Sequence, residues 1–472
     1  MVNSFLRMNP FLNPVFLVRI AKSYLTDVNR VWHLKKEHLE AYQNKAFRQM
    51  VRYAYTVPLH HEKYKQHGIH PNDINGIKDI QKLPFISKDD IRTHFPQGVV
   101  PKGFNPQHGF QVCSSGSTGK PIFLYYDVFG AIKSLEGFVR ELRSYGGSWR
   151  KSRVMIVIDN APGSVEHAIF SGSMLPFLKK FVSMDNIRYL HISEKPELLM
   201  QQINEFDPEF LGSDPNMLRK FAFLKNQGYG ENVHPHCLFS GGAILDTYTR
   251  RYVEQAFGTH LFDTYGTTEG GPLAFECTRG GIYHVHADFV HLEFLNNEHQ
   301  PVSSGTPGRL VVTRLYGGGT PIIRYTGMED IVTPIEEETS CGITTPMIHH
   351  IEGRATDLLF LPNGALMSPF ILTGIPAKIM EKYNSYKIRQ FQIVQHQLND
   401  IEIFIVIDEK LRDIGVPLNE LFRELQQQFT QTIGQDVSVR ITETDEIQKD
   451  VRVDRVKLVI SKVQHQKNVR IP

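Results

Sequence analysis

The chain predicts an α/β fold with a smaller α+β part at its C-terminal end. Three observations carry that expectation: short apolar runs alternate with amphipathic helical stretches from about residue 110 to 270, hairpin-type β segments fill the region beyond 280, and a β-β-α-β series follows residue 357. Strand–helix alternation argues for a largely parallel sheet, because each crossover helix lays its apolar stripe back on a sheet face. A length of 472 residues exceeds what one core ordinarily serves, so two or more folding units are expected.

The elements follow in order. The N-terminal stretch FLRMNPFLNPVFLVRIAKSYLT is apolar and basic, but two prolines and two arginines interrupt it. A spanning helix needs ~20 unbroken apolar residues. The segment has no small-residue cleavage site either, so it reads as an amphipathic helix covering the body of the protein, with a weak membrane-surface contact as the alternative. Residues 36–66 have helical spacing through Leu39, Tyr42, Phe47, Val51 and Tyr55, ending near Pro58. In LPFISKDDI, Ser87 is an N-cap candidate for the helix KDDIRTHF. RVMIVID (153–159), IRYLHIS (187–193), PEFLGS (208–213), HCLFSGG (236–242) and HLFDTYG (260–266) read as strands, with 214–227 and 244–257 as helices between them. HADFVHLEFL, GRLVVTRL and TPIIRYTG read as β, separated by Gly and Pro turns. Finally KIRQFQIVQ, DIEIFIVID, the helical 418–433 and DVSVRITET make the terminal series. No internal repeat or low-complexity tract is visible.

Composition narrows the function classes. An apolar fraction of 41% with 22% charged residues is that of a folded globular protein, and a net charge of +2 with interleaved signs gives no nucleic-acid footprint. Four widely spaced cysteines make no disulfide framework, which favours a cytoplasmic location.

The sharpest motif is Ser114-Ser115-Gly116-Ser117-Thr118-Gly119-Lys120-Pro121. Glycines and small hydroxyl residues expose backbone N–H groups and Lys120 adds a charge, a combination that cradles phosphates; a plain turn has the same composition. It is not a Walker P-loop, because Pro121 follows the lysine and IFLYYD reads as a strand, not a helix. No HExxH or Ser-His-Asp spacing appears among the 21 histidines; His234 and His236 read as structural, and Phe170 and Phe262 as core or pocket walls.

Five pieces in order between residues 114 and 354 resemble the adenylate-forming superfamily of acyl-CoA ligases, peptide-synthetase adenylation domains and luciferases. SSGSTGKP is similar to its phosphate loop, Ser240-Gly241-Gly242-Ala243 to its adenine-contacting segment, and Tyr265-Gly266-Thr267-Thr268-Glu269 to its aromatic-Gly-x-Thr-Glu motif. Arg324-Tyr325 with Asp330 resembles the ribose segment, and Ile351-Glu352-Gly353-Arg354 the strand leading to the hinge. Within the superfamily, RQMVRYAYTVPLHHEKYKQHGI, DIQKLPFISKDDIR and GRATDLLFLPNGALMSP resemble the phenylacetate–CoA ligase branch and its capsular-polysaccharide relatives.

The resemblance implies a large N-terminal domain (1–356, with a helical extension over about 1–66), sheets flanked by helices with a small β-barrel-like part, and a small mobile C-terminal α+β domain (357–472). It implies ATP and Mg²⁺ as cofactors, a carboxylic acid as substrate, and coenzyme A or an amine or hydroxyl compound as acceptor. Tyr265 would stack on adenine, Thr268 contact the α-phosphate, Glu269 hold Mg²⁺ and Asp330 accept from the ribose; the plain alternatives are a helix-start carboxylate for Glu269 and a loop residue for Asp330. The chemistry agrees, since two anions meet in the reaction and the site must spread negative charge over N–H groups, hydroxyls, Lys120 and a metal.

Four departures stand out. Asp330 lies six residues after Arg324, one further than usual, with Glu329 at the nearer position. Thr356 precedes Asp357 where the hinge usually has two aspartates. Arg455 stands where active members carry a lysine, with Lys457 close by, and arginine is no like-for-like replacement for a point charge. A weakened nucleotide- or acyl-binding protein is therefore the alternative to a ligase. Some branch members hold a zinc ion; Cys277, His284 and Cys341 match part of that set, Thr339 replaces another member, and His286 or His349 could complete it. Three unrelated residues are the alternative.

Overall fold

The computed structural model describes residues 13–105, 109–114, 121–159, 167, 184–337, 340–354, 358–364, 366–447 and 458–463. Its helices are α1 (Pro14–Arg30), α2 (Lys36–Ala54), α3 (Pro58–Gln66), α4 (Lys88–His94), α5 (Val128–Ser144), α6 (Pro196–Phe206), α7 (Pro215–Asn226), α8 (Thr247–Phe257), α9 (Pro369–Tyr383) and α10 (Leu418–Ile433). The strands up to residue 354 are β1 (Gly109–Cys113), β2 (Phe123–Asp127), β3 (Val154–Ile158), β4 (Ile187–His191), β5 (Phe210–Ser213), β6 (Cys237–Ser240), β7 (Leu261–Thr267), β8 (Gly271–Glu276), β9 (Tyr283–Val285), β10 (Val290–Leu295), β11 (Gly308–Arg314), β12 (Asp330–Ile335) and β13 (Met347–Arg354). After them come β14 (Leu359–Phe360), β15 (Leu366–Met367), β16 (Ile388–Gln397), β17 (Asp400–Ile407), β18 (Ser438–Glu443) and β19 (Val459–Ser461).

One sheet of 11 strands organises the molecule, in the order β10-β11-β12-β13-β9-β8-β7-β6-β5-β3-β4. Strands β4, β3, β5, β6 and β7 run parallel, whereas β8 onward is antiparallel, so the sheet changes character at β7. The parallel half has the apolar runs that two covered faces require: four of the five residues of β3 are buried. Gly212 in β5 is dictated by packing, because a Cβ there would meet the Phe239 ring at 2.0 Å. The hairpin-rich part expected beyond residue 280 is the antiparallel half.

The terminal series forms its own sheet, β18-β17-β16-β19. A tight hairpin joins β16 to β17, α10 crosses over to the parallel β18, and β19 pairs in parallel with β16. Helix α10 buries Leu421, Leu425, Phe429 and Ile433, one stripe at helical spacing. Helix α9 packs on α8, and the Tyr248 hydroxyl donates to the Ile388 carbonyl, so one apolar cluster runs from Met155 through Leu261 to Val459.

Two local expectations are corrected. The helical stretch 36–66 is two helices: α2 ends at Ala54, and Pro58 opens α3 at its first position, where a missing N–H is harmless. TPIIRYTG is not a strand; Tyr325 makes only isolated bridges to Ile86 and Val312, because Arg324 at φ 46° turns the chain out of β geometry. Ser87 does cap α4, in a reciprocal box with Asp90.

Candidate active site

The site is built at the carboxyl ends of β6 and β7. After Ser240 the chain leaves the sheet through Gly241, Gly242 and Ala243, where Gly242 takes φ +78°. A Cβ on Gly241 would lie 2.8 Å from Thr264 Oγ1, whose hydroxyl donates to the Ser240 carbonyl at 2.8 Å, so this turn lies tight against β7. Beneath it sits a buried polar network. The Ser240 hydroxyl and the Tyr283 hydroxyl (2.8 Å) both donate to Asp263, and Glu276 accepts from the Asp263 N–H and from Arg250, each at 2.8 Å. Burial pushes the Asp263 carboxyl up to about 6, although the hydrogen bond from Ser240 and the charge of Arg250 pull it back.

Tyr265 and Gly266 lie on β7, and Thr267 ends it. Residues 268–270 form the turn into β8, with Thr267 Oγ1 accepting from the Gly270 N–H at 2.9 Å. Glu269 is therefore a hairpin-turn residue, not a helix-start carboxylate. It is only 6% exposed, and burial raises its carboxyl above the ordinary range; the hydroxyl of Tyr325, 3.2 Å from Oε1, and the charge of Lys88 oppose that shift. The Tyr265 hydroxyl donates to Asp330, which opens β12 and lies 3.9 Å from the Arg354 guanidinium at the end of β13. Asp330 and Arg354 are paired across the β12–β13 ladder, which fixes that contact.

Ser114 closes the base of the β1–β2 hairpin: its N–H donates to the Ile122 carbonyl at 2.9 Å, and its Oγ accepts from the Ile122 N–H at 3.0 Å. The motif 114–120 thus connects two antiparallel strands. The Tyr126 hydroxyl of β2 donates to the Thr268 carbonyl at 2.8 Å, tying that hairpin to the Glu269 turn. Ser115, Gly116, Ser117, Thr118, Gly119 and Lys120 lie outside the described residues, as do Thr356, Asp357, Arg455 and Lys457.

Arg324 does not face this site. It is 5% exposed, forks onto Glu293 at 3.1 and 2.9 Å, donates to the Leu83 carbonyl at 2.7 Å and lies over the Phe85 ring. Its backbone carbonyl accepts from Ile86, and Thr326 donates back to Ile86, so the LPFIS segment is bound to the ribose-like segment. That clamp carries α4 into place and puts Lys88 3.7 Å from Glu329. Sequence reasoning missed Lys88 and Tyr126, and it assigned Tyr325 only to the ribose-like segment, not to Glu269; the signal for Lys88 was its position directly after a capping serine.

Cys277, His284 and Cys341 converge, with one donor atom of each within 4.8 Å of the others. Cys341 Sγ is 3.2 Å from His284 Nε2, and burial lowers the imidazole to about 4. His286 is committed elsewhere, to Glu141 at 2.9 Å and Arg140 at 3.1 Å, and the His349 ring lies tilted against that of His350; neither belongs to the cluster. Thr339 lies outside the described residues.

No family model matches the chain. The chain is 26% identical over 398 residues to the phenylacetate-coenzyme A ligase of Thermus thermophilus, covering 81% of this chain and 84% of that one. It is 23% identical over 401 residues to protein CapK of Staphylococcus aureus, covering 82% of each. A 2-hydroxyisobutyryl-CoA ligase, solved in the postadenylation state with an acyl-AMP, superimposes with a TM-score of 0.75 at 16% identity, covering 92% of this chain and 91% of that one. The fold is that of the adenylate-forming ligases. In sequence the chain is similar to phenylacetate-coenzyme A ligases and to protein CapK.

Proposed function

We propose that the chain is an acid–AMP forming ligase. A carboxylate oxygen attacks the α-phosphorus of ATP, the bond to the bridging oxygen breaks, and pyrophosphate leaves. The acyl group then passes to the thiol of coenzyme A, or to an amine or hydroxyl acceptor, and AMP is released. The observation that carries this reading is the convergence of Tyr265, Asp330 and Arg354 with buried Glu269, beside the hairpin whose connection is the 114–120 motif.

In this reading adenine lies against Gly241–Ala243 and Tyr265, and the ribose hydroxyls donate to Asp330. Thr268 and the N–H groups and Lys120 of the 114–120 loop hold the phosphates, and Arg354 balances charge beside Asp330. A carboxyl whose pKa is raised by burial, with Asp330 close by, fits a hard divalent cation. Glu269 would hold Mg²⁺, which supplies charge neutralisation at the phosphate oxygens. The segment 357–472 would swing over this site and present Arg455 or Lys457 to the reacting groups. Cys277, His284 and Cys341 would supply three of the four donors of a structural zinc. The likeness to CapK supports a role in polysaccharide biosynthesis.

A second reading, a nucleotide- or acyl-binding protein that has lost adenylation, is favoured by Arg455 at the lysine position. Calorimetry with ATP and Mg²⁺, together with pyrophosphate exchange over aryl, fatty and amino acids, separates the two. Acid-dependent exchange establishes the ligase. ATP binding without exchange for any acid favours the second reading, and absence of ATP binding refutes the nucleotide site.

A further inference from the structure

We propose that the outer face of α1 docks on an anionic lipid bilayer surface. The inner face of this helix is settled by its contacts. Phe16 and Ile20 pack against Ala131 and Ile132 of α5, the Ser23 hydroxyl donates to Glu136 at 2.9 Å, and the Tyr24 hydroxyl accepts from Arg143 at 2.6 Å and from Trp149 at 2.9 Å. The opposite face carries Val15, Val18 and Leu25, which are 75%, 67% and 64% exposed, and Leu17 beside them is 46% exposed. Residues 15, 18, 22 and 25 follow helical spacing, so Lys22 lies within the apolar stripe, and exposed Arg19 borders it.

No other element among the described residues presents so many exposed large apolar side chains. Such a stripe on a helix fixed to the body by its other face is a docking surface in want of a partner. Charge selects which one. Residues 1–26 contain Arg7, Arg19 and Lys22 and no acid, the first being Asp27, although the whole chain carries 52 basic and 50 acidic residues. Apolar side chains with interspersed cations and no acid match a bilayer with anionic headgroups, where the stem of a lysine lies along the apolar layer and its ammonium reaches the phosphates. No helix among the described residues is long and apolar enough to cross a membrane, so the contact is interfacial.

The test is flotation of the full-length protein with vesicles of phosphatidylcholine alone or mixed equally with phosphatidylglycerol. The protein floats with the mixed vesicles at low salt and stays behind with phosphatidylcholine. The double variant Val18→Asp/Leu25→Asp loses flotation at an unchanged unfolding temperature, since both side chains are exposed. Lys22→Glu changes two unit charges at about fivefold each, so its partition coefficient drops roughly 25-fold. Equal binding to both vesicle types, or retained flotation of the double variant, overturns the proposal. So does a dimer in solution that the double variant dissociates while neither protein floats, which assigns the face to a second copy of the chain.

Discussion

Removing one hydroxyl next to Glu269 tests the metal assignment without touching the carboxylate. In Tyr325→Phe the ring stays in its fully buried slot, and only the donor 3.2 Å from Oε1 is lost. A hydrogen bond to a charged acceptor contributes about 1.5–3 kcal/mol, and this one is long, so the lower end applies. Burial already raises the Glu269 carboxyl, and losing the donor raises it further. The ionised form that a cation needs then becomes scarcer on the acid side. The sign follows: a carboxyl raised in the folded state gives up its proton late, so Mg²⁺-dependent activity is lost at a higher pH in the variant than in the parent. On the acid side of the profile the half-saturating Mg²⁺ concentration in pyrophosphate exchange rises about tenfold, the equivalent of about 1.4 kcal/mol. The ATP requirement at saturating Mg²⁺ changes little. If Mg²⁺ dependence is unchanged in Tyr325→Phe and also in Glu269→Gln, then Glu269 is not the metal carboxylate, and the buried turn has only a structural role.

Other outcomes follow from the same geometry. Arg324→Gln breaks a buried pair with Glu293 and frees the Leu83 carbonyl, lowering stability by about 3–5 kcal/mol in urea unfolding; an unchanged midpoint refutes the clamp. Tyr265→Phe removes the donor to Asp330, and the KM for ATP rises about fivefold, in line with the roughly 1 kcal/mol of an ordinary hydrogen bond; an unchanged KM separates that pair from ribose recognition. The Asp263 carboxyl titrates at about 6 in the fold against 3.8 ordinarily, so the folded state holds a proton that the unfolded state has lost, and stability falls as pH rises from about 4 to about 6. Asp263→Asn flattens that slope in thermal unfolding, and a slope retained in the variant assigns it to another group. Metal analysis of the purified protein finds zinc that Cys341→Ser diminishes; a parent protein without zinc makes the Cys277–His284–Cys341 cluster a packing feature.

What could be read from sequence was whatever short-range chemistry decides. The apolar run of β3, the stripe of α10 and the cap at Ser87 each depend on residues within one turn or one strand. Failure came where a distant partner decides. The spacing of TPIIRYTG allows a strand, but Arg324 is bent out of one by Glu293, Leu83 and Phe85, which no local pattern reveals. Glu269 could be matched to a motif, yet its burial and its Tyr325 donor come from a segment 56 residues away. The roles of Arg455 and Lys457 rest on motif alignment alone, because both lie outside the described residues.

One strand nevertheless signalled the site by violating its own pattern. HLFDTYG, the last parallel strand of the sheet and interior to it, should be uniformly apolar, but it carries Asp263 and Tyr265 two residues apart. Both are charged or hydroxyl-bearing, and each is matched by a partner that would otherwise have no reason to be polar: Ser240 and Tyr283 for Asp263, Asp330 for Tyr265. Their strand is also the one where the sheet turns from parallel to antiparallel. A crevice opens at the carboxyl ends of parallel strands where the topology changes, and it is the place in an open α/β sheet where a ligand can be reached by loops from both sides. Polar residues sustained there against the apolar demand of the sheet are stabilised by their mutual hydrogen bonds, and they hold the Gly241–Ala243 turn against β7, the strand that also carries the Tyr265–Asp330 pair. That coincidence of topology with costly polarity makes β7, more than any single motif, the physical basis for the nucleotide site proposed above.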